Sequence, residues 1–198
     1  GQNYLDAMST AANFAFANRS ALSQRFRDVV SQHLGVDGAA ELLYDVSHNI
    51  AKIESHDVHG TNCLCCVHRK GATRSFSGNH PDIGSKFSGI GQPVLVPGDM
   101  GTSSWVMAGP RSEENVAFGS SCHGAGRQMS RTEAKKSVNA DELKLRLENN
   151  GIYVHAKTPN ILSEEAPEAY KDIDQVIRMT SGANLARPVA RLKPLGVV

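Results

Sequence analysis

Short apolar runs separated by turn-forming residues occupy the middle of the chain and constrain its fold more than any other feature. Glycine, proline, asparagine and aspartate lie between these runs, which cover residues 42–46, 63–67, 93–96 and 104–107. Apolar runs of this length with such boundaries are typical of β-strands. The chain from about residue 42 to residue 118 is therefore predicted to consist of strands and loops.

A helical pattern precedes this strand-rich middle. Leu22, Phe26 and Val29 recur at helical spacing, and the pattern runs up to Gly35, where the helix is expected to end. Asn3 is the expected N-terminal cap of this helix. Because the apolar residues share one face, we expect that face to pack in a core.

The last third alternates between helical and extended patterns. A helix is predicted to begin near Gln128, and Asn139 followed by Glu142 resembles a capping box for the next helix, with Leu143 and Leu147 as its apolar edge. Further elements are predicted as a strand at 152–154, a helix around 173–177 and a closing strand at 189–198. At 198 residues the chain is long enough for one well-buried domain. We therefore predict the α+β class, with central strands and flanking helices in one mixed body over residues 1–198.

Composition and charge narrow the classes of protein. Hydrophobic residues make up 40% of the chain and charged residues 21%, as in ordinary soluble proteins. The formal net charge of +1 gives no global basic field, so the cluster of Arg131, Lys135 and Lys136 either contacts phosphate locally or lies on a solvated helix face. The sequence has neither an apolar stretch near the roughly 20 residues of a membrane span nor a secretory pattern at its start. We expect a cytoplasmic protein that contacts no membrane.

The four cysteines are expected to be reduced thiols. Alternation along a strand puts Cys63 and Cys65 on one face and Cys66 on the other, and their spacing differs from the pairs of structural zinc sites. Cys122 precedes Arg127 by one residue fewer than a cysteine phosphatase loop requires, since four residues intervene instead of five. We therefore expect Cys122 to be a neighbour of the reacting group and not the nucleophile.

The segment from Ser120 to Arg127 carries the clearest chemical signal. His123 is followed by Gly124 and Gly126, and glycines let the backbone and its N–H groups come close to a phosphate. Arg127 adds a planar fork that matches phosphate oxygens. Because imidazole attacks phosphorus well and also leaves well, His123 is a candidate carrier of a phosphoryl or nucleotidyl group. The alternative is a glycine-rich turn with a hydrogen-bonded histidine.

Five further segments accompany this motif in a fixed order. They are Asn13-Phe14-Ala15-Phe16-Ala17-Asn18-Arg19, Tyr44-Asp45-Val46-Ser47-His48-Asn49-Ile50-Ala51-Lys52, Val67-His68-Arg69-Lys70-Gly71-Ala72-Thr73-Arg74, Pro97-Gly98-Asp99-Met100-Gly101-Thr102 and Glu164-Glu165-Ala166-Pro167-Glu168-Ala169-Tyr170-Lys171. With Cys122-His123-Gly124-Ala125-Gly126-Arg127, they resemble the signature segments of the RtcB family of RNA-splicing ligases. The resemblance extends along the whole chain, which makes it more specific than a match to one short pattern.

The resemblance implies an RNA ligase that uses GTP and a divalent metal, usually manganese (Mn²⁺). Such enzymes join an RNA end bearing a 2′,3′-cyclic phosphate or a 3′-phosphate to a 5′-hydroxyl end, in tRNA splicing or RNA repair. The implied RNA partners are tRNA halves or broken RNA ends, and an activating protein partner is compatible with the resemblance. A histidine attacks the α-phosphorus of GTP, GMP passes to the RNA 3′-phosphate, and the 5′-hydroxyl displaces it. The resemblance assigns the histidine–GMP adduct to His123.

The same comparison assigns the other site residues. His48 corresponds to a metal-ligating histidine, although a lone histidine after a strand is more often structural. The implied nucleotide-binding residues are Asn49, Pro97, Gly98, Asp99, Met100, Ser104, His123, Gly124, Ala125, Gly126, Arg127 and Tyr170.

Three groups among these candidates leave alternatives open. Many relatives carry a small hydroxyl residue where this chain has Asp99, whose carboxylate would repel phosphate but could accept from the guanine edge; a backbone contact is expected there. Tyr170 either stacks on guanine or packs in the interior. Four basic residues are either RNA phosphate contacts or salt-bridge partners, namely His68, Arg69, Lys70 and Arg74.

The chain also departs from the family pattern. Family members are more than twice as long, and the half that supplies further metal ligands has no counterpart here. A terminal Val-Lys-Gly is replaced by Val197-Val198. We expect a truncated chain that is inactive as a ligase by itself. Two other functions remain open: a metal-dependent phosphatase or phosphodiesterase using His48 and His123, and a non-catalytic nucleotide- or RNA-binding module.

Overall fold

The computed structural model describes residues 1–35, 40–112, 117–156 and 158–198. The chain contains both helices and strands, which confirms the predicted α+β class. Where the sequence predicted one body, the contacts within the chain separate into two compact units, residues 1–70 and residues 71–198. Within the described ranges, no helix combines the length and apolar character that a membrane crossing needs.

The first unit begins with one long helix, α1 (Gln2–Leu34). Gly35 ends it with φ of 63°, a left-handed conformation that favours glycine, so the predicted end is confirmed. The helix begins after Gly1, and Asn3 lies inside its first turn. All 33 residues of α1 are described and none is buried, so the expectation that its apolar stripe lies in a core is wrong for this unit.

A β-hairpin completes the first unit. Strand β1 (Asn49–Val58) pairs antiparallel with β2 (Thr61–Lys70) through a two-residue turn, His59 and Gly60, both with positive φ. Such turns match the twist of paired strands. The run at 42–46 precedes this hairpin and forms a loop, not the predicted strand. The cysteines of β2 alternate as predicted, with Cys63 and Cys65 half-buried and Cys66 exposed, and all four cysteines are free thiols.

A buried ion pair joins the two strands of the hairpin. Arg69 donates two hydrogen bonds to the carboxylate of Glu54, each 2.8 Å long, and both side chains are almost fully buried. His56 adds a third hydrogen bond to Glu54, at 3.0 Å. A bidentate pair of this kind fixes geometry as well as charge. Of the two alternatives for Arg69, the structure therefore supports the salt-bridge partner and not an RNA contact.

The second unit is built on short strands. Its largest sheet is antiparallel, with β5 (Ser104–Ala108) between β4 (Pro93–Val96) and β8 (Arg187–Leu192). Two smaller sheets pair β3 (Ala72–Arg74) with β6 (Ser120–Cys122) and β7 (Tyr153–Val154) with β9 (Gly196–Val197). The strands predicted at 93–96 and 104–107 are thus confirmed, and the closing strand forms as two pieces.

The described residues of this unit also form the helices α2 (Arg131–Ser137), α3 (Ala140–Asn149), α4 (Pro159–Glu164) and α5 (Ile173–Gly182). Short 3₁₀ turns lie at Ser85–Phe87 and Pro167–Ala169. Helix α2 begins three residues later than predicted because the side chain of Ser130 caps the N–H of Glu133. Asn139 caps α3 as predicted, and it accepts from two backbone N–H groups.

Two apolar clusters form the interior of the second unit. One joins β4, β5 and α5 through Val94, Val96, Met107, Ala125, Ile173, Ile177 and Ala186. The other joins α3, β7 and α4 through Leu143, Leu147, Ile152, Val154, Leu162 and Ala166. Leu143 and Leu147 are buried, as their spacing predicted. The first cluster includes Ala125, so the glycine-rich segment is anchored in the core.

Replacing Arg69 is expected to destabilise the hairpin unit strongly. Arg69→Met removes the partner of a buried carboxylate, and breaking such a pair costs about 3–5 kcal/mol. Chemical denaturation of a full-length protein that contains this chain measures the change in the free energy of unfolding. The double variant Arg69→Met with Glu54→Leu removes both charges and should recover much of the loss. If the free energy of unfolding of the single variant fell by less than about 1 kcal/mol, the ion pair would contribute no more than a solvent-exposed salt bridge, and the prediction would be wrong.

The same carboxylate is expected to make stability depend on pH. Burial alone would raise the pKa of Glu54, but the hydrogen bonds and charges of Arg69 and His56 outweigh it and hold the pKa below its ordinary value of 4.5. A carboxyl with a lowered pKa stabilises the fold above its unfolded pKa, and that contribution disappears as pH falls through the folded value. The Tm difference between wild type and Glu54→Gln should therefore be full at neutral pH and shrink below pH 4.5. A pH-independent difference would contradict this.

Candidate functional site

His123 follows directly after β6 and is half-buried. Ala72 and Cys122 are the last pair of the ladder between β3 and β6, and Gly71 and His123 are the residues directly beyond it. A Cβ atom at Gly71 would lie 3.4 Å from Nε2 of His123 and 3.6 Å from Cδ2. The Nε2 edge of the imidazole thus lies over the backbone of a residue without a side chain.

The glycine-rich segment is attached to the loop after β4. The N–H of Ala125 donates to the carbonyl of Pro97 at 2.9 Å. Gly124 passes so close to Pro97 that a Cβ there would lie 3.3 Å from the same carbonyl oxygen. These contacts bring together two of the segments that the sequence analysis singled out, residues 97–100 and 122–127.

The loop from Pro97 to Ser104 is a tight turn held by its own side chains. Gly98 donates its N–H to the Ser104 hydroxyl at 3.3 Å. A Cβ at Gly98 would lie 2.2 Å from the carbonyl oxygen of Ser103, so only glycine fits there. Asp99 accepts from the N–H of Gly101 at 2.8 Å, from the N–H of Thr102 at 3.0 Å and from the Thr102 hydroxyl at 2.7 Å. The Asp99 carboxylate therefore holds the turn, and the N–H groups of Gly98 and Asp99 are used inside it as well. The backbone contact with a ligand that is expected at Asp99 stays a prediction.

Arg127 is bound to protein groups. Its Nη1 donates to the Glu165 carboxylate at 3.0 Å and to the Tyr170 hydroxyl at 3.3 Å, and its Nη2 donates to the Glu164 carbonyl at 2.7 Å. Its Nε donates to the Met129 carbonyl at 3.1 Å. The guanidinium also lies 5.0 Å from the centre of the Tyr170 ring, within cation–π range. In this arrangement Arg127 fixes the end of the glycine-rich segment; the phosphate contact expected of it stays a prediction.

The basic cluster of α2 is engaged in ion pairs. The Nζ of Lys135 lies 2.6 Å from the Glu164 carboxylate. The Nε of Arg131 lies 3.0 Å from the same carboxylate and 3.3 Å from the Glu165 carboxylate. The hydrogen bond from Lys135 and the surrounding positive charges lower the pKa of Glu164. These pairs join α2 to the end of α4, so for Arg131 and Lys135 the structure offers protein partners where phosphate contact was one alternative.

Tyr170 lines a cleft of about 460 Å³. Its hydroxyl donates to Glu165, and burial together with that carboxylate raises the pKa of the phenol. The cleft also contains Asp99, which brings a second predicted nucleotide residue to the same place. The remaining lining residues are Thr102, Gln128, Pro167, Lys171, Asp172, Gln175, Val176 and Met179.

Lys171 is the lining residue of most chemical interest that the sequence analysis did not assign. It is exposed and directly follows Tyr170, and its N–H donates to the carbonyl of Gly126 at 3.0 Å. Its position in the motif Glu164–Lys171 was the available signal. The ammonium group supplies a positive charge at the rim of the cleft.

Cys122 is the last residue of β6 and directly precedes His123. Its Sγ is 3.2 Å from the Thr180 hydroxyl, and the side chain packs on the first apolar cluster. That the thiol is a neighbour of the reacting group and not the nucleophile stays a prediction.

The remaining candidates lie partly in the first unit. His48 is exposed just before β1, and Asn49 begins that strand opposite Lys70. The His68 ring stacks on Tyr4 with ring centres 5.8 Å apart.

Arg74 belongs to the second unit. It donates to the Gln92 side chain at 3.1 Å and lies 4.8 Å from the centre of the Phe76 ring. Its guanidinium thus has protein partners, whereas Lys70 at the end of β2 is exposed.

The described residues do not form a complete metal centre. Across them, no three histidine, cysteine, aspartate or glutamate side chains come together as a possible set of ligands. A divalent ion needs several ligands in fixed geometry, and His48 alone does not provide them. The residues present therefore do not fit a self-contained manganese site.

Comparison with known proteins agrees with the motifs. Residues 1–198 match the family model described as tRNA-splicing ligase RtcB. The chain is 46% identical over 200 residues to the tRNA-splicing ligase RtcB of Thermococcus kodakarensis, covering all of this chain and 42% of that protein. It is 47% identical over 198 residues to the RNA-splicing ligase RtcB of Mycobacterium tuberculosis, covering all of this chain and 45% of that protein. The chain spans less than half the length of these relatives, and it belongs to the RtcB family.

Proposed function

We propose that this chain is the nucleotide-accepting part of an RNA ligase that acts in tRNA splicing. The observation that carries the proposal is the attachment of the His123 segment to the 97–104 turn through the 2.9 Å hydrogen bond between Ala125 and Pro97. This contact joins a nitrogen nucleophile to a tight glycine-containing loop, the combination that phosphate-ester chemistry requires. The names of the relatives give the same reaction class.

In the proposed reaction, a ring nitrogen of His123 attacks the α-phosphorus of GTP. A nitrogen–phosphorus bond forms, the bond to the β-phosphate oxygen breaks, pyrophosphate leaves, and the imidazole gives up one proton. The GMP group then passes to an RNA 3′-phosphate, which restores the imidazole. Attack by a 5′-hydroxyl on the activated phosphate releases GMP and seals the strand. Ends bearing a 2′,3′-cyclic phosphate enter after hydrolysis to the 3′-phosphate.

The cleft beside Tyr170 is the proposed place for the nucleotide. Its volume of about 460 Å³ is in the range of small-molecule sites, and Lys171 offers charge for a phosphate group. Because Asp99 uses its carboxylate within the turn, the nucleotide contacts proposed there come from backbone groups of residues 97–100 other than the N–H groups of Gly98 and Asp99, which the turn also uses. Arg127 helps to position Tyr170, which lines the cleft, because it donates hydrogen bonds to the Tyr170 hydroxyl and to Glu165.

Manganese is proposed as the cofactor of the whole protein, with His48 as the family-matched ligand in this chain. A bound metal would neutralise charge on the phosphates. Since the described residues do not provide a full ligand set, we assign this chain no catalytic step through the metal.

His123→Ala is expected to abolish covalent labelling. A full-length protein that contains this chain is incubated with GTP labelled at the α-phosphate and with manganese, then denatured and separated by electrophoresis. Because the adduct is a phosphoramidate on His123, the label should be stable to alkali and labile to acid. Cys122→Ala is the matched control, since Cys122 directly precedes His123 and its side chain packs on the first apolar cluster, and it should keep the label.

Each other outcome supports a different function. Wild-type labelling in His123→Ala would rule out the assignment. Release of phosphate from esters without labelling of the wild type would favour a phosphatase or phosphodiesterase. Nucleotide binding without labelling or turnover would favour a non-catalytic module.

His48 and Asn49 are expected to give separable effects. His48→Ala should lower manganese affinity by about a hundredfold and suppress labelling, because the removed imidazole is a direct ligand. Asn49→Ala should raise the KM for GTP about tenfold through one lost hydrogen bond and leave metal content unchanged. Atomic absorption and labelling kinetics measure the two effects. Unchanged metal content and activity in His48→Ala would make it a structural histidine.

A further inference from the structure

We infer that Gly71 is a positioning residue for His123, because any side chain at position 71 would contact the Nε2 edge of the imidazole. The inference rests on the proposed function in that His123 is the proposed nucleophile. It adds a residue that neither the motif at 122–127 nor the predicted nucleotide contacts include.

The pairing of β3 with β6 brings Gly71 close to His123. Ala72 pairs with Cys122 at the end of the ladder, and Gly71 and His123 are the residues directly beyond that pair. A Cβ atom at position 71 would be in van der Waals contact with the imidazole. Glycine is the one residue that has no Cβ atom.

The distances identify which edge of the ring is affected. The Cβ position at Gly71 lies 3.4 Å from Nε2 and 3.6 Å from Cδ2. A reacting atom must approach its nucleophile to about 3–3.5 Å along the correct direction. A methyl group at position 71 would therefore lie as close to Nε2 as a reacting phosphorus atom must come.

A purely conformational role for Gly71 makes a different prediction. Gly71 has φ of +68°, so a side chain there also strains the backbone. Gly151, in the turn after α3, has φ of +78° and nothing within 4 Å of its Cβ position. Gly71→Ala and Gly151→Ala therefore carry similar backbone strain, and only the former adds a contact with His123.

The test measures the reactivity of His123 with diethyl pyrocarbonate, a small reagent that modifies imidazole nitrogens. Three versions of a full-length protein containing this chain are treated with the reagent: the wild type, Gly71→Ala and Gly151→Ala. Peptide mass spectrometry then follows the rate at which His123 is modified. We expect similar lowering of Tm in both variants. The rate at His123 should fall roughly tenfold or more in Gly71→Ala alone, together with the rate of GMP labelling.

A third variant separates the methyl contact from backbone strain. Asparagine tolerates positive φ better than alanine but carries the same Cβ, so Gly71→Asn should keep the reactivity of His123 low. Recovery of reactivity in Gly71→Asn, or equal rates in Gly71→Ala and Gly151→Ala, would overturn the inference. A failure of the proposed function gives a different result, namely that wild-type His123 is not labelled with GMP. The rates of modification by diethyl pyrocarbonate would still test the role of Gly71 in that case.

Discussion

The hydrogen bond from the Ala125 N–H to the Pro97 carbonyl is the interaction on which the candidate site depends. It works because both ends are fixed independently. Ala125 is buried in the apolar cluster formed by β4, β5 and α5, and Pro97 follows directly after buried Val96. This backbone hydrogen bond therefore holds the segment that carries His123 against the turn at residues 97–104, and both are attached to the core.

Several cationic side chains near the candidate site hold the protein together. Arg127 and Arg131 join the glycine-rich segment and α2 to Glu165, and Lys135 pairs with Glu164. Arg127 and Arg131 each have more than one protein partner, so they help define the positions of loops and helix ends. Lys171, which lines the cleft, is then the side chain proposed to contact phosphate. This division explains why a chain with a net charge of only +1 is compatible with a nucleotide site.

Local patterns predicted the elements whose stabilising contacts are themselves local. Asn139 caps α3, Gly35 ends α1, and the strands at β4 and β5 lie where the apolar runs placed them. Predictions failed where the outcome depends on distant partners. The stripe of α1 has helical spacing but is exposed in its unit, because periodicity defines a face and not what covers it. Residues 42–46 are mostly apolar, yet they form a loop, and Asp45 among them pairs with Arg19.

The sequence by itself determined the family, the mixed class and His123 as the candidate nucleophile, because these follow from residue types at fixed spacing. Tertiary structure alone decided which partners each side chain has. It engaged Arg127 with Glu165 and Tyr170, buried Arg69 against Glu54, and used Asp99 to hold its own turn. It also placed Gly71 close to His123, 52 positions further along the chain, through the pairing of β3 with β6. Such pairings depend on how the chain closes on itself, which short motifs do not encode.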